Sequence, residues 1–283
     1  MSATPEVFMR DFRFPEGCRW HDGSLWFSDM HTGTVYSVDV GSGASTTVLT
    51  VDDQPSGLGW LPDGSLVVSC MLQRKVLRQD ALGEVSVLCD LSNATDYPIN
   101  DLIVDPRGRV IVGEFGYDLY ADAPPQDGSL FAIRPDGEYD VLADDLVFPN
   151  GMVLLSTGVL VVAETFAGRL TAYDLDSSGS LVGRRTWAQL PEGSTPDGIC
   201  VDSEDAIWVS SIVTGEFLRV TEGGELTERI ALTDRLAVDC VLGGSDGRTL
   251  FLSTADSWQP ADTARTHVGR IETVRALVPG ILS

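Results

Sequence analysis

Basic residues are scarce in this sequence, which has 19 lysines and arginines against 42 aspartates and glutamates and a formal net charge of −23. A surface this acidic repels phosphate backbones and anionic lipids, so we predict no binding to nucleic acid or to membrane surfaces. Long apolar runs are also missing: none approaches the ~18 residues that a transmembrane helix needs, and the N-terminal stretch lacks the apolar core of a signal peptide. We therefore predict a cytoplasmic protein.

Side chains suited to nucleophilic catalysis or disulfide bonding are few. There are three histidines and no GxSxG motif, so no serine nucleophile with a histidine base is evident. The cysteines are odd in number and lack CxxC spacing: Cys18, Cys70, Cys89, Cys200 and Cys240. Because four of them lie in apolar, strand-like runs, we predict buried reduced thiols rather than disulfides or metal ligands.

The sequence does contain an internal repeat. A turn, usually with glycine, is followed by a short alternating apolar strand and then by a small or acidic residue. Six copies occur, at 22–29, 63–70, 107–114, 157–164, 204–211 and 246–253. Six units of about 40–50 residues, each long enough for four strands, predict an all-β fold, a six-bladed β-propeller that forms a single domain over 1–283. A β-sandwich, the alternative, would not need repeats that keep one phase.

The N-terminal segment predicts how the ring closes. Residues 6–14 have the pattern of a strand without a partner in the first repeat. A closed propeller needs its first and last blades joined, so we predict that this strand pairs with the blade containing residues 270–277.

One position of the repeat carries an oxygen-bearing side chain in all six copies. It lies seven or eight residues before the recurring turn and holds Glu16, Ser56, Asn100, Asn150, Asp197 and Asp239. Equivalent positions in superposable units form a circle, so these side chains are predicted to meet at the mouth of the central channel. Taken singly, Asn-Gly and Asp-Gly pairs are typical of turns, but independent turns would not need to share one phase.

Oxygen ligands without cysteine or histidine suit a hard cation. We predict that Glu16, Asn100, Asn150 and Asp197 bind one divalent cation, with Ca²⁺ favoured and Zn²⁺ or Mn²⁺ as alternatives. Mg²⁺ is disfavoured because it tends to keep much of its own water.

Acidic residues also lie on the strand that follows the recurring turn, behind the circle of ring residues. In a simple hairpin, Asn100 faces Glu114 and Asn150 faces Glu164. We predict that Asp29 and Glu164 accept hydrogen bonds from the ligand amides or from metal-bound water.

Several motifs together resemble the senescence marker protein/regucalcin/gluconolactonase family of six-bladed propellers. They span nearly the whole chain: FPEGCRWHDGSLWFSDMHTGTVY, INDLIVDPRGRVIVGEFGYD, FPNGMVLL, TPDGICVDSEDAIWVS and CVLGGSDGRTLFLST. The resemblance implies a calcium-dependent lactonase whose cation is held at the four positions above. It also implies that Asp197 activates water as a general base; Asp239 is the second candidate because it shares the ring position.

The sequence departs from this family at the substrate. In similar sugar-lactone hydrolases a basic residue just before the NDG-like segment binds substrate hydroxyls, but residues 96–99 contain none here. A more apolar lactone or ester is therefore as consistent with the sequence as gluconolactone. The predicted substrate contacts are Tyr97, Glu114, Asp118, Phe148 and Trp258.

Two alternatives stay open at this stage. The same cation could bind the phosphoryl oxygen of an organophosphate triester, or serve an aryl ester hydrolase. The protein could instead be a non-enzymatic binding propeller stabilised by calcium, in which chelation lowers the melting temperature but abolishes no turnover.

Overall fold

The predicted propeller is confirmed by the computed structural model, which describes residues 4–121 and 123–281. The described residues form six four-stranded antiparallel sheets, each of which is one blade. In each blade, the strand that precedes the recurring turn lies innermost and contacts the innermost strands of both neighbouring blades. These six strands therefore surround the central channel.

The strands follow the repeat in chain order. β1 (Glu6–Phe12) precedes the first repeat. Blade 1 contains β2 (Pro15–His21), β3 (Ser24–Asp29), β4 (Thr34–Asp39) and β5 (Ala44–Thr50); blade 2 contains β6 (Pro55–Trp60), β7 (Leu66–Cys70), β8 (Lys75–Gln79) and β9 (Val85–Asp90). Blade 3 contains β10 (Ile99–Val104), β11 (Val110–Glu114), β12 (Gly128–Ile133) and β13 (Tyr139–Leu146); blade 4 contains β14 (Pro149–Leu154), β15 (Val159–Glu164), β16 (Arg169–Leu175) and β17 (Leu181–Gln189). Blade 5 contains β18 (Pro196–Val201), β19 (Ile207–Ser211), β20 (Glu216–Val220) and β21 (Leu226–Ala231); blade 6 contains β22 (Leu236–Gly243), β23 (Thr249–Ala255) and β24 (Gly269–Arg275).

Helical structure in the described residues is confined to short turns. Three single 3₁₀ turns follow second strands of blades 1, 3 and 4, at Met30–Thr32, Leu119–Ala121 and Thr165–Ala167. One short helix, α1 (Pro260–Thr263), lies between β23 and β24. No helix among the described residues has the length and apolar character needed to cross a membrane.

The core lies between the blades rather than inside any one of them. The second strands β7, β11 and β19 are buried along their whole length, whereas the outermost strands β5 and β9 expose their first residues. Trp187 packs between blades 4 and 5, and Trp208 with Phe217 packs between blades 5 and 6. Inner strands are buried on both faces because a neighbouring blade covers each face.

The ring closes as predicted. β1 pairs with β24 in antiparallel register, from Glu6 opposite Thr273 to Phe12 opposite Gly269. The strand ends at Phe12, two residues earlier than expected, and the chain then enters blade 1. All five cysteines are buried, as predicted, and none of them forms a disulfide bond in this structure.

Candidate metal centre and active site

The ring position of the repeat lies near the start of each innermost strand. Its residues are the second of β2, β6, β10, β14 and β18 and the fourth of β22: Glu16, Ser56, Asn100, Asn150, Asp197 and Asp239. All six are buried. Four of them, Glu16, Asn100, Asn150 and Asp197, line one cavity at the channel mouth. The four predicted ligands thus come from four blades and face the same space.

Hydrogen bonds hold the two asparagine amides in place. The Nδ2 of Asn100 donates to the carbonyl oxygen of Pro149 at 3.5 Å, and the Nδ2 of Asn150 donates to the Oγ1 of Thr165 at 3.3 Å. Thr165 in turn donates to the carbonyl oxygen of Pro196 at 2.7 Å. Because the amide nitrogens are used in this way, the amide oxygens are the ligand atoms that both asparagines have to offer a cation.

The carboxylates of the ring disfavour one another's charged form. Burial, followed by the charge of Asp197, raises the pKa of Glu16 well above its ordinary value. Burial, followed by the charge of Asp239, raises the pKa of Asp197 in the same way. The Oε1 of Glu16 is buried without a hydrogen-bond partner. Such a group is costly unless something positive faces it.

A hard divalent cation fits this donor set. Two carboxylates and two amide oxygens are the ligands that Ca²⁺ prefers, and a cation would satisfy the unpartnered oxygen of Glu16. Among the described residues there is no grouping of three or more His, Cys, Asp and Glu side chains arranged to hold a metal. A cation here would therefore depend on Asn100 and Asn150 as much as on the acids.

The two candidate bases differ in their surroundings. Asp197 lines both this cavity and a smaller one that shares part of its lining, whereas Asp239 lines only the smaller one. The carboxylate of Asp239 accepts hydrogen bonds from the backbone N–H groups of Cys18 at 2.5 Å and Cys240 at 2.7 Å, one on each oxygen. Burial raises the pKa of Asp239 to about 7, partly offset by the nearby Arg19. Of the two candidate bases, Asp197 is therefore the one with access to the larger of these two cavities.

An ion pair that the sequence did not reveal lies next to the small cavity. The Nη2 of Arg19 contacts the Oδ1 of Asp101 at 2.6 Å, and the guanidinium also donates to the carbonyl oxygens of Leu58, Cys18 and Leu102. Asp101 follows the ring residue Asn100, at a position that is glycine in blades 1, 2, 4 and 5. That departure from the repeat is the one signal by which Asp101 could have been found.

The cavity above the ring has a polar floor and apolar walls. Its volume is about 160 Å³. The floor consists of the four ring residues with Thr165. The walls come from all six blades: Phe14, Met30, Met71, Phe115, Leu119, Phe148, Phe166, Ile212, Val213 and Trp258. No Lys, Arg or His is among the described residues that line it.

Of the five predicted substrate contacts, Phe148 and Trp258 line this cavity. The described lining leaves out the other three, whose side chains form hydrogen bonds elsewhere. The hydroxyl of Tyr97 accepts from the Nε2 of Gln126 at 3.3 Å, and the Oδ1 of Asp118 accepts from the N–H of Ala121 at 3.1 Å. Glu114 accepts from the N–H groups of Gly116 and Ser129, at 2.6 and 2.9 Å.

The acids on the second strands do not face the ring residues as expected. Glu114 pairs with Ile99 and Glu164 pairs with Pro149, one residue before the asparagine in each case. Successive side chains of a strand point to opposite faces, so this shift turns the acids away from the ligand amides.

Asp29 and Glu164 instead bind the segments that lead into the inner strands. The Oδ1 of Asp29 accepts from the N–H groups of Phe14 at 2.8 Å and Arg13 at 3.1 Å. Glu164 accepts from the N–H of Val147 at 2.8 Å and forms an ion pair with Arg169 at 2.9 Å. Since Phe14 and Phe148 are cavity walls, these acids position the wall at two places.

Replacing Asp29 by alanine should lower the free energy of unfolding by about 2–4 kcal/mol, because two largely buried N–H groups lose their acceptor. Asp29→Asn keeps Oδ1, the atom that receives the shortest contacts, and should cost less than half as much. Urea unfolding of both variants measures this difference. Equal losses in the two variants would contradict the assignment of Oδ1 as the acceptor.

Comparison with known proteins gives consistent results. The family model described as "SMP-30/Gluconolactonase/LRE-like region" matches residues 14–256. A 6-deoxy-6-sulfogluconolactonase of Pseudomonas putida is 25% identical over 263 residues, which cover 90% of this chain and 88% of that protein. Regucalcin of Danio rerio is 27% identical over 175 residues, 60% of this chain and 59% of the relative, so that match covers less than two thirds of the relative's length. The solved structure of a luciferin-regenerating enzyme superposes with a TM-score of 0.85 at 19% identity, over 100% of this chain and 98% of that one, which supports the fold alone.

Proposed function

The chain belongs to the SMP-30/gluconolactonase/LRE-like family, and on that premise we propose that it is a metal-dependent lactonase acting on a lactone more apolar than a sugar lactone. The membership agrees with the resemblance seen in the motifs. The activity is supported by relatives named as lactonases and by a cavity whose floor is made of buried acids and amides. The single observation that carries the proposal is the gathering of Glu16, Asn100, Asn150 and Asp197 on that floor.

In this proposal the chain's own residues divide the work of hydrolysis. Glu16, Asn100, Asn150 and Asp197 hold the cation. When bound, a divalent cation polarises the carbonyl of an ester and stabilises negative charge on its oxygen. Asp197 accepts the proton of the water that attacks the carbonyl carbon, because of the two candidate bases, Asp197 and Asp239, it is the one that lines the larger cavity. The bond between the carbonyl carbon and the ring oxygen then breaks, and Asp197 returns the proton to that oxygen, which becomes the hydroxyl of the product.

The walls favour an apolar substrate. A sugar lactone presents several hydroxyls, and a cavity that buried them without polar partners would lose their hydrogen bonds with water. The walls described here are aromatic and aliphatic, and the polar groups are confined to the floor. Ca²⁺ is the cation we propose, since the donor set is all oxygen and includes two uncharged amides.

Removing the metal is expected to reduce lactone turnover about 100-fold or more, since carbonyl polarisation by a cation is worth several kcal/mol. Protein treated with EDTA and desalted would be assayed on an aryl lactone and on gluconolactone, with the spontaneous hydrolysis of each subtracted. Ca²⁺, Mn²⁺ and Zn²⁺ would then be added back separately. EDTA preloaded with an equal amount of Ca²⁺ is the control for effects of the chelator itself.

The same assay, with an aryl dialkyl phosphate as a third substrate, separates the proposal from its rivals. Turnover of an aryl dialkyl phosphate but of no lactone would favour a triester hydrolase. If chelation lowers the melting temperature and no substrate is turned over with any metal, the protein is a binding propeller and the proposal is wrong. A higher kcat/KM for gluconolactone than for the aryl lactone would contradict the apolar substrate class.

A further inference from the structure

Two exposed apolar side chains lie at the mouth of the cavity. Phe166 is 50% exposed and Val213 is 67% exposed, and both belong to the cavity lining. Phe166 follows β15 in blade 4, and Val213 follows β19 in the adjacent blade 5. Other strongly exposed apolar residues, such as Leu82 and Val141, lie away from the lining. Large apolar side chains that remain exposed at the rim of a cavity are typical of a ligand-binding surface.

An aromatic series connects the buried part of the cavity to this rim. The ring of Phe115, only 4% exposed, stacks on that of Phe148 with centroids 4.2 Å apart. The ring of Phe148 meets that of Phe166 edge-on, with centroids 5.0 Å apart. Each of these three residues comes from a different loop or strand end. Together they form a continuous apolar wall from the interior to the solvent on the blade 4 side.

The polar floor fixes the direction in which a substrate can lie. A lactone whose carbonyl reaches the proposed cation site between Glu16 and Asp197 must direct the rest of the molecule towards the mouth. On the blade 6 side the mouth is bordered by Trp258, which is half-buried. On the side of blades 4 and 5 the bordering side chains, Phe166 and Val213, are open to solvent. A hydrophobic chain on the substrate would bury the most apolar surface if it left the cavity along these two residues.

We infer that the substrate is a lactone with an alkyl chain, and that this chain leaves the cavity between Phe166 and Val213. This inference rests on the proposed lactonase function and adds the substituent that the substrate carries and its path. The alkyl chain covers the exposed faces of Phe166 and Val213 when the substrate binds. Affinity then increases with chain length until the chain passes the rim.

A series of γ-lactones with side chains from methyl to octyl tests the inference. Burying one methylene is worth about 0.8 kcal/mol, or about fourfold, so we expect kcat/KM to rise about two- to fourfold per methylene and then level off. In Phe166→Ala and in Val213→Ala, the ratio of kcat/KM for the octyl lactone to that for the methyl lactone should fall at least about fivefold. Phe166→Leu, which keeps an apolar side chain, should restore most of this ratio.

The matched control is Val141→Ala. Val141 is an exposed valine of β13 outside the cavity lining, and its replacement should leave the chain-length series unchanged. If the lactones are hydrolysed but kcat/KM does not depend on chain length, the inference is wrong and the lactonase proposal stands. The same holds if Phe166→Ala and Val213→Ala keep the wild-type series. If no member is hydrolysed in the presence of Ca²⁺, the lactonase proposal itself fails.

Discussion

Asp197→Asn is expected to lower kcat/KM for the best lactone about 10³-fold, because a positioned general base contributes about 10²–10⁴-fold and the amide cannot accept a proton from water. The two side chains have the same shape, so the fold should be retained. Asparagine also keeps one oxygen that can bind a cation, although it removes one of the two ligand charges. Steady-state kinetics at saturating Ca²⁺ measure the loss, and calorimetric titration of Ca²⁺ shows how much of it comes from weaker metal binding.

Asp239→Asn is the comparison that separates the two acids. Both oxygens of Asp239 accept backbone N–H groups, from Cys18 and Cys240, and an asparagine side chain can accept at only one of those positions. We therefore expect this variant to lose stability and to lose only about tenfold in kcat/KM. Wild-type turnover in Asp197→Asn would exclude Asp197 as the base. A larger loss of turnover in Asp239→Asn, with the fold intact, would move that role to Asp239.

The fold could be predicted because the repeat relates segments that are far apart in the sequence, which the pattern of a single strand cannot do. Six copies in one phase require six equivalent units, and an unpaired N-terminal strand requires a partner at the other end of the ring. The structure has both features, with β1 beside β24. The ring position followed from the same phase, which is why four side chains distant in sequence could be placed together.

Glu114 and Glu164 were predicted opposite the wrong residues because the inner strand of each hairpin contains one extra residue. Counting along the repeat does not reveal that residue. Counting outward from the turn of blade 4, Met152 pairs with Val162, and the same count sets Asn150 opposite Glu164. A register shift between Pro149 and Met152 moves the pairing by one residue. The one sequence signal is Gly151, which lies within the shift, because a glycine inside a strand is typical of a bulge; blade 3 has Asp101 at that position and lacks the signal. The same shift occurs in blade 3, between Ile99 and Leu102.

The cavity walls were harder to predict than its floor. Met30, Met71 and Ile212 come directly after second strands in three blades, a shared position that the repeat does contain. Their residue types, however, are those of any buried core. Only the convergence of loops from separate blades makes them a wall, and loop paths do not follow from periodicity.

The Asn-Gly and Asp-Gly pairs show how a local pattern can suggest the wrong structure. Each is typical of a turn, yet Asn150 and Gly151 lie inside β14, and Asp197 and Gly198 lie inside β18. The glycines are needed because the inner strands approach closely around the channel. A Cβ atom on Gly151 would lie 2.6 Å from the carbonyl oxygen of Asp197. Gly151, which the sequence suggests as a turn residue, therefore allows two inner strands to approach each other closely.

Gly57→Ala should consequently be among the most damaging small substitutions in this chain. A Cβ atom there would lie 2.2 Å from the backbone nitrogen of Leu102 and 2.5 Å from the Oδ1 of Asp101, so β6 and β10 would have to separate. We expect the free energy of unfolding to fall by about 3 kcal/mol or more, and the melting temperature by about 6 °C or more. Because β10 carries Asn100, Ca²⁺ affinity should fall as well.

Gly41→Ala is the matched control for this test. Gly41 lacks the left-handed backbone conformation, and the nearest atom to its Cβ, the Oδ1 of Asp39, would be 3.5 Å away, an ordinary contact. Its free energy of unfolding should change by no more than about 0.5 kcal/mol. Urea unfolding and Ca²⁺ titration of both variants decide the matter. If Gly57→Ala is as stable as Gly41→Ala and binds Ca²⁺ normally, close contact between inner strands does not hold the candidate ligands in place, and their spacing must come from another source.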